Sequence, residues 1–204
     1  MVVSKSSPPA PVSAAPPRPP QAVLDALTQG LVEHPEASLA ELAHAVGIGR
    51  TTLHRLYPTR EAVVQAVALD ALARLREVDA QVGLHTAFRA DLPATESWEI
   101  MQRWIGALVP LGPRLMFLLR SRELDTDPHL VQGAAELDAT LQGALERAQE
   151  RGEVQPRLSP PWLMASLHAL IYAAWEQVDA GALARRDAAE LVFRTWLGGV
   201  GRVE

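Results

Sequence analysis

Apolar residues recur at helical spacing along nearly the whole chain after residue 20, and Pro, Gly and small polar residues cut that pattern into segments. Val23, Leu24, Leu27 and Leu31 form a first stripe, opened by Pro20 at a position suited to a first helical residue and closed by Pro35. Ser38-Leu39-Ala40-Glu41 has capping-box spacing and predicts a second short helix through Val46, ended by Gly47. A third is expected from Arg50 to Tyr57, because Pro58 has no N–H to donate and its ring blocks continuation. Thr59 then caps a fourth, with Glu61 in its first turn and an apolar stripe of Val63, Val67, Leu72, Leu75 and Val78 reaching Val82. Beyond a loop at 83–93, helices are expected at 95–109, 113–122, 128–152, 159–180 and 187–197, with Thr95, Asp127, Ser159 and Asp187 as caps. The pattern is all-α, with about nine helices, three short ones followed by six longer.

Composition supports this and narrows the function. Ala and Leu outnumber β-branched residues, as a helical protein requires. Residues 1–19 are rich in Pro, Ala and Ser, cannot bury a core and are expected to form a disordered arm; Arg18 is a further cation there. The absence of cysteine excludes disulfides, thiol catalysis and Cys-ligated zinc. The N-terminus has no apolar signal segment, and the apolar run 163–175, interrupted by Ser166 and His168, is too short to span a bilayer, so the expected location is the cytoplasm with no membrane partner.

The net charge of -5 is unevenly spread. Residues 1–60 carry five Lys/Arg against four Asp/Glu, and residues 61–204 fourteen against twenty. Within the first part, 42–60 holds Arg50, Arg55 and Arg60 and no acid. Two short helices joined by Gly47-Ile48-Gly49 have the form of a helix-turn-helix, whose second helix enters the major groove of DNA. On that second helix Leu53, Leu56 and Tyr57 share one side, leaving Thr51, Thr52, His54 and Arg55 on the rest. Arg pairs with guanine or clamps phosphate, Thr bonds phosphate or touches a thymine methyl, and His donates to either. From spacing alone the same side chains also fit a plain solvated face.

The stretch Ser38-Leu39-Ala40-Glu41-Leu42-Ala43, followed by Val46-Gly47-Ile48-Gly49-Arg50-Thr51-Thr52-Leu53-His54-Arg55-Leu56-Tyr57-Pro58-Thr59-Arg60-Glu61-Ala62-Val63, resembles the signature of TetR-family regulators. The resemblance is strong over about residues 23–67, across four helices in register, and beyond that rests on helix count and order. It implies an N-terminal three-helix helix-turn-helix domain at 20–65 and a C-terminal helical bundle at 66–204 for ligand binding and dimerisation. Position by position it implies that Thr52 matches the family's near-universal Thr, Arg60 its phosphate-contacting Lys and Tyr57 the aromatic that closes the small core, while Arg50, Thr51, His54 and Arg55 stand where DNA is commonly touched. His54 replaces the usual Tyr, Gly49 the usual Ser/Thr cap, and Leu39 a Thr or Arg.

In the second part, Trp98, Met101, Trp104, Ile105, Leu108, Phe117, His168, Tyr172 and Trp175 offer an apolar wall with a few polar handles, the make-up of a small-molecule pocket; each alone also fits simple core. The proposed ligand-binding set is Trp98, Met101, Trp104, Phe117, His168, Tyr172 and Trp175, and the expected ligand is small and lipophilic, neutral or cationic. The last two helices carry wide apolar faces, Leu163, Leu167, Leu170, Ile171, Ala174 and Val178 on one, and Ala188, Leu191, Val192, Thr195 and Trp196 on the other, which suit a homodimer interface. No enzyme is expected. Glu41 and His44 have one Glu-x-x-His spacing, but a di-iron site needs two, and Glu41 is used by the capping box. No His-Glu-x-x-His, phosphate loop or Gly-x-Ser-x-Gly is present, and no cofactor or metal is implied. The expectation is a DNA-binding regulator, a ligand-released repressor that grips a palindromic operator as a homodimer. The alternative is a dimeric small-molecule-binding or protein-interacting helical bundle with a vestigial head.

Overall fold

The computed structural model describes residues 20–121, 124 and 127–200, the side chain of residue 200 excepted; the expected arm, with Arg18, lies outside the described residues, as does Arg122. The architecture is all-α: α1 (Gln21–Glu33), α2 (Leu39–Val46), α3 (Arg50–Leu56), α4 (Arg60–Val82), α5 (Ala94–Leu108), α6 (Gly112–Arg120), α7 (Pro128–Glu150), α8 (Pro160–Asp179) and α9 (Arg185–Val200).

Local chemistry explains most boundaries. The Ser38 hydroxyl accepts from the Glu41 N–H at 3.3 Å while the Glu41 carboxylate accepts from the Ser38 N–H at 2.7 Å, so the capping box is closed from both sides. Gly47 ends α2 at φ 73°, a left-handed conformation that a side chain would strain. Thr59 caps α4 through the Ala62 N–H, and Asp127 caps α7 through the His129 N–H. Thr95 does not cap α5. Pro93 occupies the cap position in an extended conformation and α5 is already helical at Ala94. Likewise α9 begins at Arg185, ahead of Asp187.

The segment after α4 is more ordered than a surface loop. Leu84, Ala87 and Phe88 are buried, and carbonyls of the segment are met by Arg147 of α7 and by Arg151, the residue that follows it. Arg147 donates to Ala87 O and His85 O, and Arg151 to Arg89 O and Leu92 O. The sequence period could not reveal this, since the partners are some sixty residues away.

Two apolar clusters form the interior. One joins α1, α2, α3 and the first half of α4 and takes in Phe117, Leu124 and Leu130; the other joins the second half of α4 with α5, α7, α8 and α9. The rod α4 serves both. Its 23 residues extend about 34 Å at 1.5 Å per residue. Gly112 opens α6 tight against α8, where an added Cβ would lie 2.6 Å from both Cβ and Cγ of Trp175. No helix among the described residues is long and apolar enough to cross a membrane.

Candidate functional site

In the head, α3 is anchored by Leu53, which is wholly buried, and by Tyr57, whose hydroxyl is sealed inside without a hydrogen-bond partner. Burial, helped by the charge of Asp70, pushes that phenol above its ordinary pKa. The opposite face is open: Arg50, Thr51, Thr52, His54 and Arg55 are all exposed, and neither Arg50 nor Arg55 has an ion-pair or hydrogen-bond partner among the described residues. Arg60 differs. Its side chain turns back, donating from Nε to Ala37 O at 3.0 Å and from Nη2 to Pro35 O, so it fastens the α1–α2 turn to the start of α4. A wide groove between α1 and α2 is edged by Glu33, Glu36 and Glu41 together with His34 and His44.

The body holds a cavity of about 220 Å³ between α4, α5, α6, α7 and α8. Leucines form most of its lining, including Leu75, Leu108, Leu115 and Leu141. Polar groups enter at three points. Asp79 of α4 is half-buried and accepts a 2.6 Å hydrogen bond from Trp104 Nε1. Burial raises its pKa, and the Trp104 bond only partly offsets this. Asp138 of α7, itself exposed, also lines the cavity, and partial desolvation raises its pKa too. His168 of α8 is buried, and desolvation lowers its pKa to about 4, so it is a neutral imidazole at pH 7. No Lys or Arg lines the cavity. Among the described residues no three His, Cys, Asp or Glu gather to hold a metal ion.

Head and body meet through a buried ion-pair cluster. Arg114 of α6 donates to Asp70 of α4 from Nε at 2.9 Å and pairs through Nη2 with Asp25 of α1. Gln21 bonds Asp25 at 3.1 Å and Asp70 at 3.2 Å, and accepts from Arg74 at 2.8 Å. Burial pulls the Asp25 carboxyl upward, but hydrogen bonds from Arg114 and Gln21 outweigh it and hold the pKa low. Arg114 is followed directly by Leu115, a cavity residue. One short helix thus touches the cavity and the first helix of the head.

The chain matches no family profile. It is 28% identical over 180 residues, 88% of its length and 89% of the relative's, to the HTH-type transcriptional repressor LfrR of Mycolicibacterium smegmatis. It is 28% identical over 182 residues, 87% and 91% of the two lengths, to the HTH-type transcriptional regulator NfxB of Pseudomonas aeruginosa. The crystal structure of the TetR-like regulator LfrR matches with a TM-score of 0.63 at 25% identity, covering 89% of this chain and 95% of that one. A second LfrR structure, in complex with proflavine, gives 0.62 at 24%, covering 90% and 96%. The chain is a transcriptional regulator, similar over most of its length to TetR-like regulators. Both named relatives are HTH-type regulators of transcription.

Of the residues the sequence suggested for a ligand wall, the regulator brings Trp104, Leu108 and His168 to the cavity. Met101 is fully buried in the body core, and Trp98 stacks edge-on between Phe88 and Phe193. Phe117 packs into the head-side cluster. Tyr172 and Trp175 lie 5.4 Å apart, Trp175 against Gly112 and Tyr172 below the Arg120 guanidinium, outside the cavity lining. Sequence reasoning missed Asp79 and Asp138. The available signal was position: Asp79 follows Val78 and stands four residues after Leu75, an acid on the apolar side of α4.

The wide faces of α8 and α9 also resolve into two. Leu163, Leu167, Ile171, Ala174, Ala188, Val192 and Trp196 are internal core of the regulator. Outward stand Trp162, 62% exposed, Ala165, Ala169 and Ala173 on α8, and Leu191, 52% exposed, with Thr195 on α9.

Proposed function

We propose that the regulator is a cytoplasmic, ligand-released repressor that binds a palindromic operator as a homodimer. The observation that carries this reading is α6, which joins the body cavity at Leu115 to helix α1 of the head at Arg114. A molecule entering the cavity displaces α6, and with it the cluster that fixes α1 on α4. The heads of a two-fold dimer must reach successive major-groove faces, roughly 34–36 Å apart or a multiple of it, and a tilt of either head spoils that spacing. By linkage, DNA then weakens ligand binding by the factor that ligand weakens DNA binding.

Arg50, Thr51, Thr52, His54 and Arg55 form the DNA face, and Arg60 supports it by fastening the α1–α2 turn and contacts a phosphate on swinging out when DNA is bound. The dimer forms through the outward surfaces of α8 and α9. The ligand is lipophilic, and the two carboxylates, with no cation in the lining, favour a positively charged one. The complex of LfrR with proflavine, an aromatic amine cationic at neutral pH, supports that choice. Since both carboxylates have raised pKa values, affinity for a cation is expected to rise with pH as they ionise and then level off.

The test is an electrophoretic mobility shift with DNA flanking the regulator's own gene, with and without proflavine. A specific complex dissolved by proflavine is expected. A complex whose affinity proflavine leaves unchanged, although proflavine binds the protein, refutes the switch.

A further inference from the structure

His168 stands out among the groups lining the cavity. Its neighbours one turn away on α8, Met164 and Ile171, are core, and a leucine would fill the position without burying a polar ring. The imidazole has no hydrogen-bond partner among the described residues, and its nitrogens are not sealed from the cavity that it lines. Native interiors leave few polar groups in that condition, and a buried imidazole left unmatched is destabilising. Asp79, in contrast, is engaged by Trp104.

We infer that His168 is a specificity-determining residue that accepts a hydrogen bond from an N–H group of the ligand, so that the cavity selects lipophilic cations carrying an amino group over equally charged ones without it. The inference rests on the ligand-binding reading above and adds a second requirement to it. The carboxylates of Asp79 and Asp138 recognise charge from α4 and α7, and any cation of the right size satisfies them. His168 faces the cavity from α8 and recognises a directed donor. An imidazole unprotonated at pH 7 offers a lone pair for that donor, and the tautomer is unconstrained because no protein group fixes it.

Proflavine and 10-methylacridinium separate the two requirements, since both are planar tricyclic cations but only proflavine bears amino groups. Calorimetric titration of the full-length protein at pH 7.5 is expected to show proflavine preferred by about tenfold, the magnitude of one net hydrogen bond to a buried group. His168→Leu should remove the preference by weakening proflavine alone, and His168→Gln, which keeps an acceptor, should restore part of it. Asp79→Asn should weaken both cations alike. If the Leu variant does not fold, the nitrogen resonance lost in His168→Gln identifies His168 in 15N-labelled wild-type protein. That resonance should move on adding proflavine and stay in place with 10-methylacridinium. Equal affinity of wild type for the two cations, or equal weakening of both by His168→Leu, overturns the inference while leaving the ligand reading intact. Failure of wild type to bind either cation overturns both.

Discussion

Single side chains in this protein carry separable tasks, and His168 has the plainest signature in stability. Its pKa in the fold, about 4, lies below the ordinary 6.5, so between those values the unfolded chain binds more protons than the native one. Stability must therefore fall as pH drops from about 6.5 toward 4, by about 1.4 kcal/mol per unit. Asp79 and Asp138 act oppositely, since their raised pKa values favour the fold at low pH. Urea unfolding at pH 7 and pH 5 should show about 2 kcal/mol more acid sensitivity in wild type than in His168→Leu. Equal sensitivity would show that His168 is not a buried neutral group. On the DNA face, Arg50→Ala or Arg55→Ala should cost about 1–3 kcal/mol of operator binding if the side chain reads a base. Arg60→Ala should weaken all DNA sequences alike and also lower the melting temperature, because two carbonyls of the α1–α2 turn lose their donor. At this scale the caps at Ser38, Thr59 and Asp127 and the helix-turn-helix were legible in the sequence because their partners are two or three residues apart, whereas the starts expected at Thr95 and Asp187 were placed one or two residues late. Asp79–Trp104 and Arg114–Asp25 were not, because their members belong to different helices.

Among the elements, α6 is small but joins most to its surroundings, and its role rests on charge. Asp25 is its link to the head, and that side chain is half exposed, so Asp25→Asn should cost about 1 kcal/mol of stability or less. The same change should shrink the ratio of operator affinities measured without and with proflavine. An unchanged ratio would mean that the signal bypasses the cluster. Arg114→Met is harsher, since nearly buried Asp70 would keep only the Gln21 amide and the more distant Arg74 guanidinium at 3.9 Å, and it should cost more than Asp25→Asn, up to about 3 kcal/mol. The helices α8 and α9 show why element-level reading from sequence has a limit. Periodicity identified their apolar faces, but a helix buried on one side by its own domain and on the other by a twin is apolar nearly all round, so no period tells the two sides apart. Solvent exposure makes the distinction: Leu167 is buried completely, whereas Leu191 and Trp162 are not.

For the whole molecule, the expected assembly is a two-fold dimer in which the α8–α9 surface meets itself. Leu191→Glu or Trp162→Glu should yield a folded monomer by light scattering, with helical circular dichroism retained. Leu167→Glu should unfold the body, because its charge would be buried without a partner. A dimer that survives both surface changes places the interface elsewhere. Seen at this scale, the close seat of α6 on α8 at Gly112 acquires a genetic meaning. The residue is helical, so alanine suits its backbone, but a methyl group would stand 2.6 Å from Trp175 and cannot be accommodated without parting the two helices. That separation begins two residues from Arg114 and resembles what an effector in the cavity would impose. Gly112→Ala is therefore expected to act as an inducer written into the gene: its carriers would express the controlled genes with no effector present, and adding one would change little.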